Sequence, residues 1–251
     1  MMTKTTGVAG AMETKRPETD DEVWTMFDRI APRYDLLNRL LSFRRDVAWR
    51  KGVARHVRDR SELDVLDLAT GTGDQILHLI DGGASVRSAL GLDMAEDMLT
   101  RGRAKIEARR LQDRISLCKG DAADIPCEAE SFDLVTISFG IRNVGAVPIA
   151  LSDMLRVTRP AGRILILEFS MPTNTIMRPM YLFYLRHVLP SIGGLISGDA
   201  IAYRYLNRTI ETFPCGEAFC ALMRTAGMVN VEAFPLTFGI ATIYKGDKAP
   251  V

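Results

Sequence analysis

Histidine is scarce in this chain, at three in 251 residues, and the four cysteines (Cys118, Cys127, Cys215 and Cys220) show neither C-x-x-C spacing nor histidine companions. A zinc centre is therefore not expected. A chain of this length buries a full core and needs no disulfide framework, so a reduced, cytoplasmic setting is expected. An excess of either charge is also missing, with 32 Lys and Arg against 31 Asp and Glu. Without a global positive field, nucleic acid is not an expected partner. Basic residues gather only in small groups, Arg44-Arg45, Arg50-Lys51 and a run from Arg101 to Arg110, the last reading as a solvated helix face. Residues 1–20 lack the apolar core of a signal peptide and read as a disordered tail. The most apolar stretch, residues 176–196, is broken by Arg178, Pro179, Arg186, His187, Pro190 and Gly193-Gly194, which excludes a transmembrane helix.

What is present is organised around residues 63–74, LDVLDLATGTGD. Leu63 to Leu68 reads as a short strand, Ala69 to Gly73 as a small-residue turn, and Asp74 as the cap of a following helix. Gly71 and Gly73 allow positive φ and close approach of a ligand. The turn delivers free N–H groups above the carboxyl end of the strand, where nucleotides bind in parallel sheets. A dinucleotide fingerprint would carry a third glycine, but Gly73 is followed by Asp74, Gln75 and Ile76. The acids Asp67 and Asp74 flank the turn; they would repel a phosphate and welcome an ammonium and a sulfonium. Asp93, about twenty residues on, ends a second strand (Val86 to Leu92) where ribose hydroxyls are held. Together these features point to S-adenosylmethionine, with a nicotinamide cofactor the weakest alternative.

From there strands alternate with helices. Helix 74–80 precedes strand 86–92, helix 95–110 precedes strand 115–119, strand 132–139 follows, and helix 147–157 precedes strand 162–169. That alternation predicts a parallel sheet covered on both faces. Residues 229–233 and 238–244 add an antiparallel pair through Pro235-Leu-Thr237, and Pro160-Ala-Gly162 reads as turn punctuation. An all-helical preface runs over residues 21–60, with helical spacing at Val23, Trp24, Met26, Phe27 and Ile30. It is expected to be a lid or to pack on the sheet edge, with Tyr34, Asp35 and Asn38 facing the site. Residues 170–227 are a helical insertion expected to bind the acceptor, within one domain spanning 21–251.

Five further residues are candidates by location. Asp121, in the loop before the fourth strand, could accept from an adenine amine, with Ala122 offering a backbone N–H. Ser138 ends that strand and points into the crevice. Arg142 and Asn143 follow on the loop where an acceptor would lie.

The blocks 27–38 (FDRIAPRYDLLN), 136–143 (TISFGIRN), 167–170 (LEFS), 202–206 (AYRYL) with Phe213-Pro, and 236–241 (LTFGIA) resemble those of class I methyltransferases. Within that group they are similar to the family that C-methylates the quinol ring in ubiquinone and menaquinone biosynthesis. The resemblance runs from about Trp24 to Lys245. It implies a Rossmann-like α/β fold, a mostly parallel seven-stranded sheet with an antiparallel C-terminal strand. It also implies cofactor contacts at Thr72, Asp93, Asp121, Ala122 and Ser138, beside the Asp67, Gly71 and Gly73 read from the turn. Arg159-Pro-Ala-Gly162 departs from the family's Pro-Gly-Gly turn, away from the site.

The implied substrate is a prenylated quinol, a poor carbon nucleophile until a ring hydroxyl loses its proton. Arg142 would stabilise the phenolate. Tyr34, Asp35 or a water between them would accept the proton, with His187 a further candidate. The 176–196 segment, through residues such as Leu182 and Phe183, would berth the isoprenoid tail or dock on a membrane, making the protein cytoplasmic and peripheral on the inner face. A homodimer is left open. The rival readings are a methyltransferase on a sterol or phospholipid amine, and a silent cofactor-binding subunit.

Overall fold

In the computed structural model, residue 39 and residues 42–57, 62–191 and 200–250 are described. A seven-stranded sheet of order β3-β2-β1-β4-β5-β7-β6 forms the body. Its strands are β1 (Leu63–Leu68), β2 (Val86–Asp93), β3 (Ile115–Lys119), β4 (Phe132–Ser138), β5 (Thr158–Phe169), β6 (Val229–Leu236) and β7 (Ala241–Asp247). The first five pair in parallel, and β7 runs antiparallel to both its neighbours. Strand order reverses between β1 and β4, so the loops leaving these two strands diverge and open a crevice at their carboxyl ends.

The helices are α1 (Arg45–Ala54), α2 (Asp74–Asp81), α3 (Glu96–Ala108), α4 (Val147–Val157), α5 (Met177–Phe183), α6 (Ala200–Thr212) and α7 (Glu217–Thr225). Alternate residues of β1 serve opposite faces, as a strand's two-residue period requires. Leu66 and Leu68 pack with Ile137, Ile166, Met154 and Phe219, whereas Leu63 and Val65 pack with Ile76, Leu99, Ile243 and Trp49. Each face thus has its own apolar core, which is why β1 is buried along its whole length. A third, smaller cluster joins Tyr181, Leu185, Leu189 and Ile210 beyond the end of β5.

Several boundaries differ from the expectation. Pro160-Ala-Gly162 is not a turn before β5 but an irregularity inside it, where the register with β4 shifts and Ala161 takes φ 57°. Asp74 is the first residue of α2 rather than its cap; Gly73 holds the cap position with φ 75°. Of the helical preface, residues 1–38 lie outside the described residues, Tyr34, Asp35 and Asn38 among them. Its described part, α1, buries Trp49 and Val53 in the core, and the Trp49 indole donates to Thr237 Oγ1 at 2.8 Å. Helix α5 continues as a π-helical turn, Tyr184–Val188, a local widening that often accompanies functional sites. No helix among the described residues is long and apolar enough to cross a membrane.

The amino end of the sheet is tied by charge. Asp64 accepts from the Arg87 guanidinium, from Ser88 Oγ at 2.6 Å and from Arg159 Nη1 at 2.9 Å, while Arg159 also reaches Asp133 at 2.6 Å. The Arg87 bond, foremost, holds the Asp64 carboxyl well below its ordinary 3.8. The stability it supplies is therefore complete at neutral pH and is lost as pH falls below that value. Asp64→Asn is expected to lower the melting temperature at neutral pH with kcat unchanged. The gap to the wild type should narrow on acidification below about pH 4, and a pH-independent gap would contradict the assignment.

Candidate functional site

The turn after β1 is built on a buried carboxylate. Asp67, 1% exposed, accepts from Thr70 Oγ1 at 2.6 Å and from Thr136 Oγ1 at 2.5 Å. One donor comes from the turn and the other from the neighbouring strand β4. Burial pushes the carboxyl up to about 6, against the two threonine hydrogen bonds that favour its charge. Beyond it, Ala69, Gly71 and Gly73 all take positive φ, at 46°, 55° and 75°. Gly71 and Gly73 are thus required for backbone geometry, as the sequence predicts. The loop after β4 repeats the device, for Phe139 has φ 59°. Gly140 is glycine for another reason: a Cβ there would lie 2.4 Å from the Cβ of Ala69. The two loops therefore touch at the floor of the crevice.

Of the expected cofactor residues, Asp93, Thr72 and Ser138 bond within or beside this turn. Asp93 accepts the Gly71 N–H at 2.7 Å and the Ala95 N–H at 2.9 Å, so it braces the turn from β2. Thr72 Oγ1 accepts from Lys105 Nζ at 2.7 Å, and Lys105 also reaches Asp74 at 2.7 Å. Ser138 Oγ donates to Gln75 Oε1 at 2.9 Å, and the Gln75 amide donates to the Arg50 carbonyl at 3.3 Å. Gln75 joins β4, α2 and α1 in this way, a role nothing in its sequence context announces. Asp121 accepts the Ala123 N–H at 2.9 Å, with Ala122 buried beside it.

The electrostatics correct the expectation of an open acidic rim. Lys105 neutralises Asp74, with Arg39 3.9 Å from the same carboxylate, and Asp67 is sealed in. The unmet demand lies with cations. Arg142, on a 3-10 turn (Ile141–Asn143), is buried against fully buried Glu168, Nη1 to Oε1 at 2.7 Å, and also donates to the Phe139 carbonyl at 2.6 Å. Its Nε–H has no acceptor among the described residues, and neither has Asn143 Oδ1 a donor. Phe139 and Phe169 stack at 4.5 Å between centroids, with Trp49 packed on both. The Arg142 guanidinium lies 5.2 Å from the Phe169 centroid, and the Arg50 guanidinium 5.2 Å from that of Phe139.

Tyr181 and Tyr184 stand on the far wall. Burial drives the Tyr181 hydroxyl well above its ordinary value, with Tyr184 and Glu168 adding to the rise and Arg142 opposing it. Burial pushes Tyr184 up to about 12. Neither is a base at neutral pH. His187 is exposed beside Phe183, their rings 5.0 Å apart, so it is not drawn into the Arg142 cluster. Phe183 also faces outward; the inner stripe of this helix is Tyr181, Leu185 and Leu189.

The residues fit S-adenosylmethionine on observations independent of the acidic-rim argument. A glycine turn with left-handed φ values leaves room at the backbone, and Asp93, which ends β2, stands against that turn through the Gly71 N–H.

Residues 14–248 match the ubiE/COQ5 methyltransferase family. The ubiquinone/menaquinone biosynthesis C-methyltransferase UbiE of Geotalea daltonii is 42% identical over 93% of this chain and 99% of its own. The demethylmenaquinone methyltransferase of Thermus thermophilus is 45% identical over 89% of this chain and all of its own. Among solved structures, a putative S-adenosyl-L-methionine-dependent methyltransferase from Methanococcus maripaludis superposes with TM-score 0.62 at 16% identity, covering 96% of this chain and 99% of that one. That likeness is one of fold.

The Asp67 carboxyl carries a linkage of opposite sign to that of Asp64. Its folded value, about 6, lies above its ordinary 3.8, so the stability it contributes is present at low pH and lost as pH rises through about 6. Asp67→Asn removes the titration. Between pH 4 and 7 the wild type is expected to lose stability relative to this variant in denaturant titrations, and a constant difference would contradict the assignment.

Proposed function

Since this chain belongs to the ubiE/COQ5 methyltransferase family, we propose how its carboxyl edge carries out that family's reaction. The protein is an S-adenosylmethionine-dependent C-methyltransferase acting on a quinol ring. The cofactor supplies a methyl group already activated on a sulfonium, so the chain's own task is to ionise and align the acceptor. Alignment for in-line displacement is worth about 7–11 kcal/mol of barrier at most.

The observation that carries the site assignment is the buried Nε–H of Arg142, which lacks an acceptor while Glu168 and the Phe139 carbonyl hold Nη1. A quinol oxygen losing its proton is the acceptor this donor fits, and Arg142 stays charged throughout. The charge stabilises the phenolate, whose electron density then reaches the ortho carbon. Glu168 is a positioning residue: it accepts from the Arg142 side chain and backbone N–H, the latter at 3.4 Å. Asn143 Oδ1 is available to a quinol hydroxyl that keeps its proton. Tyr34 and Asp35 remain the proposed proton acceptors, since the described tyrosines hold their protons too tightly. Thr72, Asp93, Asp121, Ala122 and Ser138, with the glycine turn, are proposed to hold the cofactor, and Asp67 to support them from within.

The prenyl tail is proposed to run toward Tyr181, Leu185 and Leu189, close to a membrane. Ile176, Met180 and Phe183 project from one exposed stripe of the segment, and exposed Phe43 packs near Tyr184 with Arg44 and Arg45 alongside. Apolar side chains with neighbouring cations fit an anionic lipid surface. No observation favours a sterol or phospholipid amine as acceptor, since the charged group left with an unmatched donor is the cation Arg142.

Two expectations follow. Arg142→Ala should lower kcat by roughly 10²–10³ with cofactor affinity retained. The variant should fold, because Glu168, already raised by burial, can take up a proton when its cation is removed. An unchanged kcat at saturating cofactor would remove the electrostatic role. Separately, Ile176→Glu with Phe183→Glu should weaken co-sedimentation with anionic phospholipid vesicles while leaving cofactor binding intact. Undiminished sedimentation would contradict the membrane-facing stripe.

A further inference from the structure

Arg50 is a buried cation that the mechanism leaves unused. It lies in the middle of α1, is 9% exposed, and offers its main-chain carbonyl to Gln75. Among the described residues its guanidinium makes no hydrogen bond and no ion pair; it lies over the Phe139 ring, 5.2 Å from the centroid. Asp67, Asp74 and His78 all feel its charge through space, which locates it beside the glycine turn at the start of α2. None of the three is its counter-ion. Asp67 is taken by Thr70 and Thr136, Asp74 by Lys105, and burial keeps His78 neutral.

Most of the Arg50 side chain is out of water, yet its guanidinium has no hydrogen-bonded anion among the described residues and its nitrogens are not sealed in, so they are open to an anion from outside the chain. Such a group is stable in a binding site when the ligand brings the anion. The methyl donor has a single anionic group, the α-carboxylate of its amino-acid end, and the fork of a guanidinium matches a carboxylate bidentately. The Arg142 guanidinium does not compete for it, since it faces the other ring of the aromatic pair and is held there by Glu168.

We propose that Arg50 receives the α-carboxylate of the methyl donor, and that it thereby sets the selectivity of the crevice for the intact amino acid. The inference rests on S-adenosylmethionine being the donor. Through Gln75 the same residue is coupled by its backbone to Ser138, so carboxylate binding and the end of β4 share one connected network.

The test is calorimetric and needs no turnover. Wild-type protein is titrated with S-adenosylmethionine and with its decarboxylated analogue, then Arg50→Met and Arg50→Lys are titrated with both. The wild type is expected to bind the carboxylated ligand about 30-fold more tightly or better, the usual scale for one partner of a buried charge pair. Arg50→Met should lose that preference while binding the analogue as the wild type does, and Arg50→Lys should recover part of it. Ligand-free Arg50→Met should melt close to the wild type, because the guanidinium makes no hydrogen bond or ion pair among the described residues. A wild type indifferent to the carboxylate, or an Arg50→Met protein that keeps the full preference, would overturn the proposal. Binding of neither ligand by the wild type would instead remove the cofactor assignment beneath it.

Discussion

A carboxylate with almost no access to water holds the centre of this protein in register. Asp67 sits at the strand where the order of the sheet reverses, and it gathers one hydroxyl from the turn that follows it and one from the adjacent strand. Burial alone would favour the neutral acid, and the two threonines supply the opposing hydrogen bonds. Thr70 anchored in this way fixes the left-handed course of the next residues, and Asp93 secures the same turn through the Gly71 N–H. Contact between Ala69 and Gly140 then couples the loop after β1 to the loop carrying Arg142. The methyl-donor turn and the acceptor loop are thereby one rigid floor rather than two independent loops, as methyl transfer between two bound molecules requires.

The charge balance on that floor runs against the intuition that acids draw a cationic ligand. The acids are already engaged with threonines, backbone N–H groups or Lys105, whereas the buried Arg142 Nε–H has no acceptor and the Arg50 guanidinium no hydrogen bond among the described residues. In the proposed reading the ligands complete the site by bringing oxygen anions: a carboxylate on the donor and an ionising hydroxyl on the quinol. Stacked Phe139 and Phe169, with Trp49 against both, keep the guanidinium groups in a region of few water molecules where each hydrogen bond counts for more.

Much of this was legible in the chain. Alternating apolar segments predict the parallel strands because burial on both faces demands continuous hydrophobic runs, and β1, β2, β3 and β4 lie where that pattern places them. Gly71 and Gly73 announce their left-handed φ because few other residues tolerate it. Elsewhere local chemistry misleads. Pro160-Ala-Gly162 has the composition of a turn, yet pairing with β4 and β7 absorbs it into a long strand. Asp74 has the identity of a helix cap, yet a lysine from α3 draws its carboxylate away. Gln75, Glu168 and Arg50 gain their roles only from tertiary neighbours more than twenty residues distant in sequence, so no local pattern marks them. Arg50-Lys51 stands in the sequence as one small basic group among several, and only the fold reveals that its first member is buried.

The most direct measurement of the central claim is to incubate the purified protein with S-adenosylmethionine carrying an isotope-labelled methyl group and a demethylated prenylated quinol, and to locate the label by NMR. The account predicts the labelled methyl on a ring carbon adjacent to a hydroxyl-bearing carbon. Label on a quinol oxygen, or none transferred by protein that binds both ligands, would contradict it.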